Sequence, residues 1–200
     1  LIIELALQKP REIQIEPSEL EHPPNGKEWP NYMVILPMYH EGDILPHLVE
    51  GLSNLDYPKD RLDIRLLIEE DDDETMEVAK SLNLKPPFVI IPIPKSYPRT
   101  KPKACNVGIE DGDADYLVIY DAEDKPDPDQ LKKAAHAFAR CPDNIACIQG
   151  KLGFYNPNQN LLTKCFTADY ATWFGLCLPG LDCLQAPIPL GGTSNHFRLD

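Results

Sequence analysis

Asp121-Ala122-Glu123-Asp124 sets three carboxylates within four residues, directly after the apolar run Tyr116-Leu117-Val118-Ile119-Tyr120. Acids at alternate positions past a strand end can project into one cleft. A hard divalent cation takes several oxygen ligands of this kind. The residues alone leave a second reading open, an acidic loop leading into a helix. Asp127 and Asp129 would favour the dipole of a helix starting at Gln130.

Three further stretches carry chemistry. Glu69-Glu70-Asp71-Asp72-Asp73-Glu74 is a run of acids that repel one another unless solvated or neutralised. A solvated helix start accounts for Asp73 and Glu74. It accounts less well for Glu69 and Glu70, which follow the apolar run Ile64–Ile68; a carboxylate there can accept the N–H of a uracil ring. Pro98-Arg99-Thr100-Lys101-Pro102-Lys103-Ala104-Cys105-Asn106 is the one strongly basic stretch. Lys103 is read as opening a short helix, where its ammonium and the backbone N–H groups suit a phosphate; a solvated loop is the plainer alternative. Gly191-Gly192-Thr193-Ser194-Asn195-His196-Phe197-Arg198 combines two glycines, which permit close backbone approach, with five polar or charged groups. A serine and a histidine so close suggest a hydrolase, but there is no GxSxG elbow. His196 reads as a hydrogen-bonded structural residue.

The elements that must position these groups alternate. Apolar runs at Tyr32–Leu36, Ile64–Ile68, Phe88–Ile91, Tyr116–Tyr120 and Ile145–Gln149 read as strands. Helical spacing recurs over residues 41–54, 75–82, 102–110 and 130–140, and again from Asn160 to about Leu176. Loops are expected from Pro179-Gly180 onward. Alternation of this kind predicts an α/β fold, a Rossmann-like, mostly parallel sheet flanked by helices, with ligands bound beyond the carboxyl ends of the strands. The acidic clusters fall at two of those ends. Residues 1–30, broken by Pro10, Pro17, Pro23-Pro24 and Asn25-Gly26, read as a lead-in to a domain spanning 31–200.

Composition narrows the partners. The net charge of -13 argues against nucleic acid, since phosphate-backbone binding needs surplus Lys and Arg. The six cysteines form no CxxC pair, which argues against zinc and favours buried free thiols in a reducing compartment. No apolar run approaches the ~20 residues of a membrane span. The chain lacks an initial Met, ends abruptly and reads as a soluble piece of something longer.

In order along the chain, Leu36-Pro37-Met38-Tyr39-His40-Glu41, Leu55-Asp56-Tyr57-Pro58, the Glu69–Thr75 cluster, Lys103-Ala104-Cys105-Asn106, Asp121-Ala122-Glu123-Asp124 and Gly191–Arg198 resemble the landmarks of family 2 glycosyltransferases of the processive, cellulose-synthase-like kind. The wording is closest to a bacterial subgroup of large membrane-associated exopolysaccharide synthases. The resemblance covers about residues 30–200. It implies a GT-A type nucleotide-diphospho-sugar transferase fold and metal-dependent sugar transfer with inversion from a UDP-sugar donor to a glycan acceptor. Carried over residue by residue, it implies that Pro37, Tyr39 and Glu41 border the nucleotide pocket. Glu70, with Asp71 or Asp72, would hold the base. Lys103, with Asn106 nearby, would approach the diphosphate. Asp121 would contact the ribose and, with Glu123 and Asp124 as a possible substitute, hold Mg²⁺ or Mn²⁺. Gly192, Thr193 and Ser194 would face the acceptor. Glu123 stands where the family usually has Asp, and Glu69-Glu70 where it has an acidic "DDG" turn.

The family's T-E-D and Q-x-x-R-W motifs do not occur here, so no catalytic residue is assigned and the base is expected beyond Asp200. The resemblance also implies a place on the cytoplasmic face of the bacterial inner membrane, reached only through parts absent from this chain. Two other functions compete. A sugar nucleotidyltransferase needs a Gly-rich basic loop after the first strand, where this chain has Pro37-Met38-Tyr39-His40-Glu41. A non-enzymatic acidic module would bind calcium or a protein partner.

Overall fold

The structure is a computed structural model and describes residues 13–199. Chain packing divides it into two compact units, one built on Ile15–Ile148 and completed by residues after Gly191, the other containing Gln149–Gly191.

In the first unit, strands β1 (Tyr32–Met38), β2 (Leu62–Glu69), β3 (Phe88–Ile93) and β4 (Tyr116–Ile119) are all parallel. With β5 (Cys147–Gln149) and β6 (Asn195–Arg198) they form one sheet in the order β3-β2-β1-β4-β6-β5. The mostly parallel sheet flanked by helices expected from the alternation is therefore present. Residues 195–198, expected to lie in a loop, are instead a sixth strand antiparallel to β4, with Ile119 opposite Asn195 and Tyr116 opposite Arg198.

Period-two alternation divides β1 between two cores. Tyr32, Val34, Leu36 and Met38 pack with α1 (Leu45–Ser53), α2 (Asp73–Ser81) and α4 (Gln130–Arg140). Met33 and Ile35 face the opposite side with Leu67, Ile93 and Ala104 and Cys105 of α3 (Lys101–Ile109). Both faces of β1 are sealed, which is why it reads as a continuous apolar run. Helix α3 lies close on β2. A Cβ at Gly108 would stand 2.5 Å from Leu67 Cδ1, so only glycine fits without displacing that side chain.

Arg65 looks misplaced in a core strand, yet its guanidinium makes three hydrogen bonds. Its Nη1 donates to Gly108 O (2.8 Å) and Glu110 O (2.9 Å), and its Nε donates to Asp63 Oδ2 (2.8 Å). It thereby satisfies carbonyls left open at the carboxyl end of α3. His196 of β6 is buried, with Nδ1 2.6 Å from the Tyr32 hydroxyl; burial pushes its pKa down to about 3 and holds the ring neutral. The structural reading of His196 agrees with this environment.

From Ile15 on, the lead-in belongs to this unit. It forms short 3-10 turns at Pro17–Glu21 and Pro24–Gly26, Leu20 is buried, and the His22 carbonyl lies 3.0 Å from His136 Nε2 of α4.

In the second unit, α5 (Leu161–Thr172) starts at a reciprocal cap in which Asn160 Oδ1 accepts from Thr163 N and Thr163 Oγ1 accepts from Asn160 N. The helical path continues through a π turn (Trp173–Cys177) into α6 (Leu178–Cys183). Pro179 and Gly180, expected in a loop, lie inside α6, directly after the π turn. Phe154 stacks near Phe166 and Tyr170, with centroids 5.7 and 4.6 Å apart. All six cysteines are free thiols, but only Cys105 is buried, while Cys165 and Cys183 are exposed. Uniform burial fails for these two because α5 presents no buried residue and α6 buries only Leu178 and Gly180. Among the described residues, no helix is long and apolar enough to cross a membrane.

Asp72 shows how the acidic run is stabilised. It is buried at the N-cap of α2, where Oδ1 accepts from Thr75 N (3.1 Å) and Oδ2 from His40 N (2.6 Å). Burial alone would raise its pKa. The hydrogen bonds from Thr75 and His40 outweigh that and hold the carboxyl below its ordinary value. Folding therefore favours the charged form, so this contribution is full above the ordinary carboxylate pKa and is lost as pH falls through the lower folded value. Asp72→Ala is expected to lower the urea-unfolding free energy at pH 7 by about 1–3 kcal/mol. The difference from wild type should shrink as the titration is repeated at pH 4 and below.

Candidate functional site

Parallel pairing brings the carboxyl ends of β1, β2 and β4 to one edge of the sheet, and a cavity of about 380 Å³ opens there. Pro37, Met38, Tyr39 and Glu41 line it from the end of β1, Glu69 from β2 and Asp121 from beyond β4. The remaining wall is Arg99, Thr100, Lys101 and Ala104, the basic stretch at the start of α3. Thr100 is the N-cap of that helix, its hydroxyl accepting from Lys103 N, and Pro102 sits in the first turn. The helix thus begins at Lys101, one residue before the expected 102–110 span and two before Lys103, which was read as opening it.

Two ion pairs cross the cavity wall. Arg99 Nη2 donates to Asp71 Oδ2 (2.6 Å), and its Nη1 donates to the Tyr39 hydroxyl (3.4 Å). Lys101 Nζ donates to Asp121 Oδ1 and also to Gly192 O (2.8 Å). Asp71 is held below the usual carboxylate range, its desolvation being outweighed by Arg99 and Lys95. Among the lining residues, Glu41 Oε2, Glu69 Oε2 and Arg99 Nε are buried without a hydrogen-bond partner. Glu41 is pushed up to about 7, first by burial and then by the charges of Glu123, Asp121 and Asp72, with Lys101 opposing. A cleft with an unmet carboxylate oxygen, an unmet guanidinium N–H and an ammonium suits a ligand carrying both cationic and anionic parts.

The sequence profile of Glycosyl transferase family 2 matches residues 33–188. The chain belongs to this family. It is 26% identical over 142 residues to a probable glycosyltransferase, YdaM, of Bacillus subtilis (strain 168), covering 70% of this chain and 34% of that protein. It is 29% identical over 147 residues to probable glucomannan 4-beta-mannosyltransferase 9 of Oryza sativa subsp. japonica, covering 68% and 27%. The chain therefore spans well under half the length of these relatives. Among solved structures, it superposes with a TM-score of 0.57 and 21% identity on the mannosyltransferase PcManGT from Pyrobaculum calidifontis, determined with GDP-Man and Mn²⁺, covering 77% of this chain and 43% of that one. This likeness establishes the GT-A fold.

Within this family 2 domain, the residues singled out from the sequence are distributed unevenly. Pro37, Tyr39, Glu41 and Asp121 line the cavity. Glu70 is exposed and accepts from Lys95 N (3.3 Å). Asp71 pairs with Arg99, and Asp72 caps α2. Lys103 is not among the lining residues; it donates to the carbonyls of Pro94 and Ser96, with Nζ 3.6 Å from Glu69 Oε2. Asn106 is exposed on α3. Glu123 is exposed. Asp124 Oδ2 accepts from Asp121 N (2.7 Å) and from the Thr193 hydroxyl, so it fastens the acidic turn to the strand-entry loop of β6. Burial, reinforced by Asp121 and Glu123, raises its pKa. Among the described residues, no three His, Cys, Asp or Glu side chains already stand in a metal-enclosing group.

The loop before β6 reaches this edge because β6 runs antiparallel to β4. Ser194 N donates to Ile119 O (2.8 Å), and Gly192 O receives Lys101. Neither Gly191 nor Gly192 has left-handed backbone, and a Cβ at Gly192 would meet only Asp121 Oδ2, at 3.9 Å. The left-handed residue is Ser194, at φ 54°. Sequence reasoning raised Glu69 as a strand-end acid but passed over Arg99 and Lys101 as cavity residues. The Thr100 cap with Pro102 two residues on was the available signal, since it fixes which lysine opens the helix.

Glu41 provides a test of this electrostatic arrangement. Its folded pKa exceeds the unfolded value, so the neutral form is favoured on folding and stability falls as pH rises toward the folded value. Carbon-detected NMR of the Glu41 carboxyl is expected to give a midpoint near 7. Asp121→Asn should lower that midpoint, because it removes one of the neighbouring charges; a midpoint near the ordinary glutamate value of about 4.3 in wild type would contradict the arrangement.

Proposed function

We propose that residues 31–200 form the nucleotide-sugar-binding part of an inverting, metal-dependent glycosyltransferase of the cellulose-synthase-like, exopolysaccharide-synthesising kind. The observation that carries this reading is the strand-end cavity in which Asp121 and the half-satisfied Glu41 face Arg99 and Lys101. The nucleoside lies toward Tyr39 and the Asp71–Arg99 pair, with Glu70 at the outer rim. The diphosphate lies at Arg99 Nε and Lys101 Nζ. These two cations replace Lys103 in the expected role, since Lys103 is committed to Glu69 and to backbone carbonyls.

A divalent cation, Mg²⁺ or Mn²⁺, fits the carboxylates of this edge, because Glu41 Oε2 is buried without a partner beside Asp121 and Glu123. Asp121 and Glu123 would hold it, and Asp124 supports them through Thr193 rather than serving as a ligand. When bound, the ion supplies charge neutralisation for the departing diphosphate. The acceptor hydroxyl approaches past Gly192, Thr193 and Ser194 and attacks the anomeric carbon from the face opposite the diphosphate, giving inversion. The base that removes its proton is assigned to a part of the protein outside these residues, so this chain binds donor and transfers little sugar by itself. In the whole protein we place the domain at the cytoplasmic face of a bacterial inner membrane.

The donor is proposed to be a UDP-sugar. A GDP-sugar is the second reading, favoured by the mannosyltransferase relatives and by the GDP-Man in the structural neighbour. Calorimetry with UDP and GDP, each with and without Mn²⁺, tests both readings. Metal-dependent binding of one nucleotide is expected, weakened about tenfold or more by Asp121→Asn, the loss of one charge-assisted contact. Equal nucleotide binding with and without metal would remove Asp121 from its role.

A further inference from the structure

Lys101 occupies an unusual position for a phosphate-binding lysine. Thr100 caps α3 and fixes Lys101 as its first residue, so the side chain points into the cavity. There its ammonium does not stand free. It donates to Asp121 Oδ1 and to Gly192 O, which lie 20 and 91 residues away in sequence and on two different strand ends. Asp121 is also the carboxylate that the proposed function uses for the divalent cation.

One carboxylate cannot hold an ammonium and a divalent ion in contact at full strength. The two cations repel, and each lowers the negative potential that attracts the other. We propose that Lys101 is a built-in counter-ion that guards the cation position on Asp121 until a nucleotide diphosphate draws it away. This inference rests on the nucleotide-sugar reading above. Without nucleotide, the Lys101–Asp121 pair weakens metal binding. A diphosphate brings anionic oxygens into the same cavity and gives the ammonium a better partner. Lys101 then moves onto phosphate, and Asp121 is released for the metal. Metal and nucleotide therefore bind with positive coupling, and reciprocity requires each to strengthen the other equally.

Lys101 and Asp121 are each about one-third exposed, so the exchange needs a side-chain rotation and no opening of the core. The Gly192 carbonyl completes the resting position. It holds the ammonium at the carboxylate when the cavity contains no anion, and its neighbour Thr193 is fixed to Asp124.

The experiment is titration of the full chain with Mn²⁺, following free Mn²⁺ by electron paramagnetic resonance. Wild type, Lys101→Met, Lys101→Arg and Asp121→Asn are compared first without nucleotide and then with UDP or GDP, with thermal melts confirming that each is folded. Removing the ammonium should tighten Mn²⁺ binding without nucleotide about tenfold, an effect of the size expected for one nearby charge in a half-exposed site. Lys101→Arg, which keeps the charge, should stay within about twofold of wild type. Nucleotide should strengthen Mn²⁺ binding several-fold more in wild type than in Lys101→Met. If Lys101→Met binds Mn²⁺ no better than wild type while Asp121→Asn still weakens it, the counter-ion role is overturned and the metal site stands. If Asp121→Asn leaves both Mn²⁺ and nucleotide binding unchanged, the site reading itself fails, and the counter-ion role with it.

Discussion

The parallel pairing of β1 with both β2 and β4 is the constraint on which the rest of this site depends. Register places Met38 opposite Ile68, and Ile35 opposite Ile119, so the residues that leave these strands emerge along one edge. The chain then has to manage what it has gathered there. Glu41, Asp71, Asp72 and Asp121 converge from three separate segments, and the pKa of Glu41 is raised first by burial and then by the charges of Glu123, Asp121 and Asp72. Each remaining acid has its own answer. Asp72 is held by N–H groups, Asp71 by guanidinium and Asp121 by ammonium. The basic stretch before α3 is therefore as necessary to the folded edge as to any ligand.

The framework was legible from periodicity because its strands are sealed on both faces. A run such as Tyr32–Leu36 has one reasonable explanation, and helices of ordinary spacing between such runs leave few topologies. The Gln130–Arg140 helix appears with its expected ends, since Leu131, Ala134, Ala135 and Phe138 form an apolar stripe that nothing nearby competes with. Strand β6 was not legible. Asn-His-Phe-Arg has no apolar alternation, and its strand character comes from pairing with β4 and from the Tyr32–His196 hydrogen bond, both contacts of long sequence separation.

The site was legible in its acids and less so in its cations. Clustered carboxylates at strand ends announce themselves, because such a cluster is costly unless it is used or solvated. Lysines spaced two apart on one helix turn point in different directions, and an error of one or two residues in the helix start exchanges their roles. Lys101 and Lys103 differ in this way. The first faces Asp121 across the cavity, and the second closes over Glu69 beneath it. In the acidic tetrapeptide, Asp121 and Glu123 read as ligands, with Asp124 as a possible substitute. The backbone turn separates them, since Asp124 is consumed in hydrogen bonds that shape the loop presenting Asp121.

Arg65 lies far from that chemistry, yet it determines which wall of the cavity is fixed. By binding the carbonyls of Gly108 and Glu110 it anchors the distal end of α3, while the Gly108–Leu67 contact fixes the helix's height above the sheet. The end bearing Lys101 is thus one jaw of a vise bolted to the bench. Just ahead of it, Lys95 to Arg99 is an irregular segment hung between β3 and α3. Under the proposed donor site, divergence in the size of the bound base or sugar has a place to accumulate in that segment, without disturbing the helix end that carries Lys101. A lineage could change donors by rewriting a handful of loop residues and leave the helix, its arginine bolt and its glycine seat untouched.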